Sequence, residues 1–115
     1  MIILKNKDGL YPAAWETATL MKLYKLSQEY GKDIVELEEL VCVKLLKLLE
    51  IDPWKYKLRM QKAETRYRKK NNVDGEIPKL RLLATDGVLR LGYTAAIMKV
   101  EKDLQSDNDK REETL

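Results

Sequence analysis

The chain contains no histidine, one cysteine and no phenylalanine, and of its 115 residues only five are glycine and three proline. Each shortage excludes something. Without histidine there is no Ser-His or Cys-His nucleophile pair, no imidazole acid–base catalyst and no His-containing metal site. One cysteine, Cys42, can form neither an intrachain disulfide nor a zinc knuckle, and it sits in the apolar run LVCVKLL, where a buried structural thiol is expected. A reducing compartment suits such a chain. Few glycines leave no GxxxxGK[ST] run and no GxGxxG, so neither common phosphate-cradling loop is present. The apolar part of the N-terminus, MIILKNKDGLY, is too short for a signal peptide, and no run is long enough to span a bilayer. These features together predict a cytoplasmic protein that needs no metal or other cofactor and is not an enzyme. Glu38 and Glu39 are adjacent and point in different directions on a helix, so nothing selects a catalytic carboxylate pair.

What remains is rich in Leu, Lys, Glu and Arg, with charged residues making up 36% of the chain. That composition favours helix, and the length suits one domain. Asn6-Lys7-Asp8-Gly9 reads as a turn after a short apolar segment, Ile2 to Leu4, that could pair as a strand. Pro12 suits the first position of a helix running to about Tyr30, with Gly31 as its stop. Leu20, Leu23, Tyr24 and Ser27, extended by Ala13 and Thr17, define its expected core face, opposite Lys22, Lys25 and Glu29. Asp33 and Glu36 have capping-box spacing at the start of a second helix. That helix is apolar around most of its circumference, which predicts a place at the centre of a bundle, antiparallel to the first. Asp52-Pro53 opens a third helix, with Asp as N-cap and Pro at the first position.

Residues 77 to 105 admit two readings. As a hairpin about Asp86-Gly87 they give one wholly apolar face, and residues 79–93 would form a wing with Arg81 and Arg90 at its sides. As helix, Pro78 opens a short segment to Ala84 and Asp86 caps a longer one to about Gln105. The second then shows two neighbouring stripes, Val88-Leu91-Ala95-Met98 and Leu89-Tyr93-Ala96-Val100. Abundant Leu, Ala, Lys and Arg, with few β-branched residues before Tyr93, favour helix. The expected fold is therefore an all-α compact bundle of four to five helices over residues 1–105, with the winged-helix-like α+β arrangement as its alternative. Residues 106–115, SDNDKREETL, have almost nothing to bury and are expected to form a disordered tail.

Charge is the most unevenly distributed property. Trp54 to Lys70 carries eight cations against one anion, whereas the rest of the chain carries 14 Lys and Arg against 18 Asp and Glu. Within it Lys55, Arg59, Lys62, Arg66 and Lys69 recur at helical spacing on one side, a stripe about 21 Å long at ~1.5 Å per residue. Tyr56, Met60, Ala63 and Tyr67 form a moderately apolar stripe that could dock on the core. Lys57 and Arg68 widen the cationic side, and Glu64 relieves only one position. Stacked like charges weaken an isolated helix, and a polyanion would relieve them. The alternative is a solvated face built from soluble helix formers.

The candidate nucleic-acid contacts are thus Lys55, Arg59, Lys62, Arg66, Arg68, Lys69 and Lys70. Trp54 is a candidate for base stacking, although Trp15 and Trp54 both also suit core or corner packing. The expected partners are DNA or RNA. An adaptor or assembly role, binding protein subunits or a second copy in a homodimer through apolar helix surfaces, is the competing expectation. A membrane partner is not expected, because the basic helix lacks large aliphatic anchors opposite its charge.

Overall fold

The computed structural model describes the backbone of residues 5–6, 9–10 and 12–114, and side-chain environments from residue 13 to 107. Five helices follow a minimal β pair: β1 Lys5–Asn6, β2 Gly9–Leu10, α1 Pro12–Tyr30, α2 Ile34–Leu49, α3 Pro53–Asn71, α4 Lys79–Ala84 and α5 Gly87–Thr114. The strands are antiparallel, with Lys5 opposite Leu10 and Asn6 opposite Gly9. Ile2 to Leu4 lie outside the described residues. The chain is a single-domain helical bundle. The hairpin alternative for residues 79–93 is overturned: this stretch is α4, a break at Thr85–Asp86, and the start of α5. Arg81, expected at the side of a wing, is paired with Glu16 of α1, and Arg90 is buried with Nη1 donating to the Ala84 carbonyl.

Local chemistry sets most boundaries. Pro12 occupies the first position of α1, and Gly31 leaves it at φ +63°, where a side chain would be strained. The Lys32 N–H then reaches back to the Ser27 carbonyl at 3.2 Å. Asp33 stands at the N-cap of α2, but its carboxylate accepts no capping bond, so the expected capping box is not made. Asp52 does cap α3: its Oδ1 accepts the Lys55 N–H at 2.8 Å, with Pro53 just inside.

The core differs from the expected one in two respects. First, α1 is rotated. It buries Trp15, Thr19, Leu23 and Leu26, whereas Leu20, Tyr24, Ala13 and Thr17 are exposed. Leu23 is shared by both faces, and the deciding groups lie beyond it. Trp15 brings the largest apolar surface of the helix, donates its indole N–H to Thr94 Oγ1 at 2.8 Å, and meets Tyr93 edge-on at 6.1 Å. Lys22, expected to face solvent, reaches Glu101 of α5 at 2.9 Å.

Second, the centre of the bundle is α5, not α2. α2 buries Leu37, Val41 and Leu45 but leaves Val35, Leu40, Val43 and Leu48 exposed. α5 packs against α1, α2 and α4 and buries Leu89, Tyr93, Ala96, Ile97, Val100 and Leu104. Small residues let it in. At Gly92 an added Cβ would stand 2.7 Å from Leu45 Cδ1 and 3.2 Å from both Leu49 methyls, so the absence of a side chain is what allows α2 and α5 to approach there. Among the described residues, the α2–α5 contact is the most extensive between any two elements.

α5 also outruns its expected end at Gln105. Its backbone stays helical to Thr114. A helix already nucleated and anchored by buried Leu104 gains a hydrogen bond with each added residue. Polar content alone therefore does not stop it.

Candidate nucleic-acid interface

α3 meets the rest of the molecule through the stripe expected for docking. Ala63 is buried, Tyr56, Met60 and Tyr67 are half-buried, and α4 is the main neighbour. One misfit lies in this contact: the Tyr56 hydroxyl is buried with no hydrogen-bond partner of ordinary geometry. Burial, reinforced by the nearby Cys42 thiol, pushes its pKa well above the usual tyrosine value. Cys42 itself is half-buried rather than sealed in the core.

With that stripe turned inward, Lys55, Arg59, Lys62, Arg66 and Lys69 are all exposed on the outer side of α3. The seven candidate cations nevertheless divide by what they touch. Arg59 is engaged: Nε donates to Asp86 Oδ2 at 2.7 Å and Nη2 to Oδ1 at 3.2 Å, tying α3 to the start of α5. The Asp86 hydrogen bond raises the Arg59 pKa; burial opposes it, and the Asp86 charge adds to the rise. Arg68 is engaged too, through Nε to Glu64 at 2.9 Å and Nη1 to the Val73 carbonyl at 3.2 Å. Lys55, Lys62, Arg66, Lys69 and Lys70 form no ion pair with any described residue.

Helix electrostatics separates these further. Arg68, Lys69 and Lys70 occupy the last turn of α3, where cations are favoured by the partial negative charge of the helix end. Their presence needs no ligand. Lys55 stands in the first turn, where the same dipole opposes it, and Lys62 and Arg66 lie mid-helix. These three are the cations that the fold does not account for.

They also converge. Lys55, Lys62 and Arg66 line a shallow depression of about 340 Å³, with Ile51 and Leu58 contributing apolar surface and the Arg59–Asp86 pair along one side. Trp54 stands one turn before Leu58 and is 67% exposed, so it packs neither the core nor the corner between α2 and α3.

No family model, curated protein or solved structure matches this chain.

Among the described residues no group of three or more His, Cys, Asp or Glu side chains could hold a metal ion, and no helix is long and apolar enough to cross a membrane. The arrangement on α3 can attract and seat anions; it offers no nucleophile with an adjacent base. Two parts of this surface escaped the sequence. Leu58 interrupts the cationic side at helical spacing from Trp54 and could have been read from the wheel. The engagement of Arg59 by Asp86 could not, since 27 residues separate the two and only the tertiary fold joins them.

Proposed function

We propose that this protein is a small, non-enzymatic nucleic-acid-binding protein or accessory module that seats phosphates on the outer face of α3. Lys55, Lys62 and Arg66 are the principal contacts, and Lys69 and Lys70 prolong the face. Arg59 and Arg68 shape that surface and contribute charge while bound to Asp86 and Glu64. The observation carrying this reading is that Lys55, Lys62 and Arg66 are exposed, pair with no described residue and lie outside the last turn of α3 where the helix dipole would favour them, in a chain whose remaining charge balance is acidic. Cytoplasmic residence, suited to a charge-rich chain with a lone thiol, belongs to the same proposal.

The test is binding of fluorescently labelled oligonucleotides, followed by anisotropy at several salt concentrations. Neutralising five phosphates, one for each of Lys55, Lys62, Arg66, Lys69 and Lys70, gives a slope of log K on log salt of roughly −3.5 to −4.5, the shallower value for single strands. No binding at low salt would refute the reading.

A second reading rests on a different surface. Val88, Leu91 and Met98 of α5 are 48, 55 and 64% exposed, and with Ala95 they follow the three-four-three spacing of a coiled-coil seam. Leu48 of α2 joins Ala95 and Met98 in lining a groove of about 500 Å³ on this side of α5. A seam of this kind on a long helix suits pairing with the same helix of a second copy, an isologous contact. Sedimentation equilibrium would distinguish a dimer lost on Leu91→Lys from a monomer unaffected by it.

A further inference from the structure

The depression on α3 has two chemistries, and a ligand that fills it must have both. Its rim is cationic, through Lys55, Lys62 and Arg66; Ile51 and Leu58 add apolar surface. Trp54, next in sequence to Lys55 of that rim, exposes 67% of its surface, and Leu58, one turn further along the same side of α3, exposes 39%. Leaving a tryptophan this open forgoes one of the largest burial gains available to any side chain. Phosphate attraction alone gives no reason for it.

We infer that the nucleic acid held by α3 is single-stranded, with a base stacked on Trp54 and its flanking phosphates on Lys55, Lys62 and Arg66. This rests on the nucleic-acid reading above and narrows it. A duplex presents phosphates and groove edges, while the faces of its bases are already stacked on one another. A single strand presents phosphates together with free aromatic faces, which is the pairing of a charged rim with an exposed indole and leucine.

The engaged residues reinforce this arrangement. Both Asp86 oxygens are occupied: Oδ2 by Arg59 Nε, and Oδ1 by Arg59 Nη2 and the N–H groups of Val88 and Leu89. The carboxylate therefore has little capacity left to accept from a base edge, and its charge disfavours a phosphate on that side. Phosphates are directed toward Lys55, Lys62 and Arg66, and the base toward Leu58 and Trp54. Recognition through stacking of this kind tolerates any sequence, because every base has a π-face.

The experiment compares full-length protein binding to an oligothymidylate and to a DNA hairpin duplex with the same number of phosphates. Affinity is read by anisotropy of the labelled DNA, and tryptophan emission is followed with unlabelled DNA. The expected result is at least tenfold tighter binding of the single strand, with quenching that disappears in Trp54→Ala. Trp54→Ala should weaken single-strand binding by about tenfold or more, in line with loss of one stacked base, and leave duplex binding unchanged; Trp54→Phe should retain most of the affinity. Circular dichroism on both variants establishes that they remain folded. Duplex binding as tight as single-strand binding, with unquenched emission and an indifferent Trp54→Ala, would overturn this inference and leave the nucleic-acid function standing. Failure to bind either DNA, or the corresponding oligouridylate and RNA hairpin, at low salt, or binding an acidic polypeptide in preference to all of them, would overturn the function itself.

Discussion

Asp86 joins Arg59 to the start of α5 with a single carboxylate. It accepts Arg59 Nε at 2.7 Å on one oxygen, and on the other it accepts the N–H groups of Val88 and Leu89, each at 3.1 Å. The same side chain is thus an N-cap for the central helix and the anchor of the cationic one. It is only 7% exposed.

Asp86→Ala should therefore destabilise the protein by about 2 kcal/mol, mostly through the lost cap, since Arg59 is partly solvated and its ion pair is correspondingly weak. Burial opposes the charge on Asp86, but Arg59 and the Leu89 and Val88 N–H groups outweigh it and hold the carboxyl below its ordinary value of 3.8. A depressed carboxyl pKa stabilises the fold above that ordinary value, and the contribution disappears as pH falls through the lower folded-state value. Urea denaturation at neutral pH and below pH 3.8 should show the wild type's advantage over Asp86→Asn shrinking in acid. A gap independent of pH would mean that the carboxylate's charge is immaterial.

Tyr56→Phe should leave stability unchanged or raise it by up to ~1 kcal/mol. Among the described residues its buried hydroxyl finds no partner of ordinary hydrogen-bond geometry, only the nearby Cys42 thiol, so removing it relieves a desolvation penalty and sacrifices little. A lower Tm for the phenylalanine variant would reveal a hydrogen bond, through water or Cys42, that sustains the α3 contact.

Truncation after Gln105 should reduce the helical circular dichroism signal while lowering stability by less than about 1 kcal/mol. Among the described side chains Leu104 is the last buried one along α5, although the helix continues to Thr114. A larger loss would show that the final turns of α5 support the bundle.

Where the fold was legible, the signal was local. Asp52-Pro53, Pro78 and Asp86 mark helix starts by the chemistry of caps and proline, and the Tyr56-Met60-Ala63-Tyr67 stripe marks the docked side of α3 because its other sides are too charged to bury. Where two faces competed, the sequence could not rank them. In α1 the choice between Leu20-Tyr24 and Trp15-Leu26 depends on Thr94 and Tyr93, almost 80 residues away. In α5 both apolar stripes were visible, but only packing reveals that Leu89-Tyr93-Ala96-Val100 is core and Val88-Leu91-Ala95-Met98 is surface. Counting apolar residues put α2 at the centre. Gly92, which a hydrophobicity count treats as nothing, is the residue that lets α5 pack closely against it. The candidate surface was legible as a stripe of charge, but not which members of that stripe the fold itself employs.

That division also determines the measurement that bears most directly on the proposed function: nucleic-acid affinity and its salt slope in a Lys55→Gln, Lys62→Gln, Arg66→Gln triple variant. These positions are exposed and form no ion pair with described residues, and glutamine keeps nearly the same helix propensity. Circular dichroism and Tm should be unchanged or slightly improved as like-charge repulsion is relieved. Affinity at low salt should fall at least tenfold, and the slope of log K on log salt should become shallower by roughly 2 to 3. A folded triple variant with unchanged affinity and an unchanged slope would contradict the assignment of this face of α3 to nucleic acid.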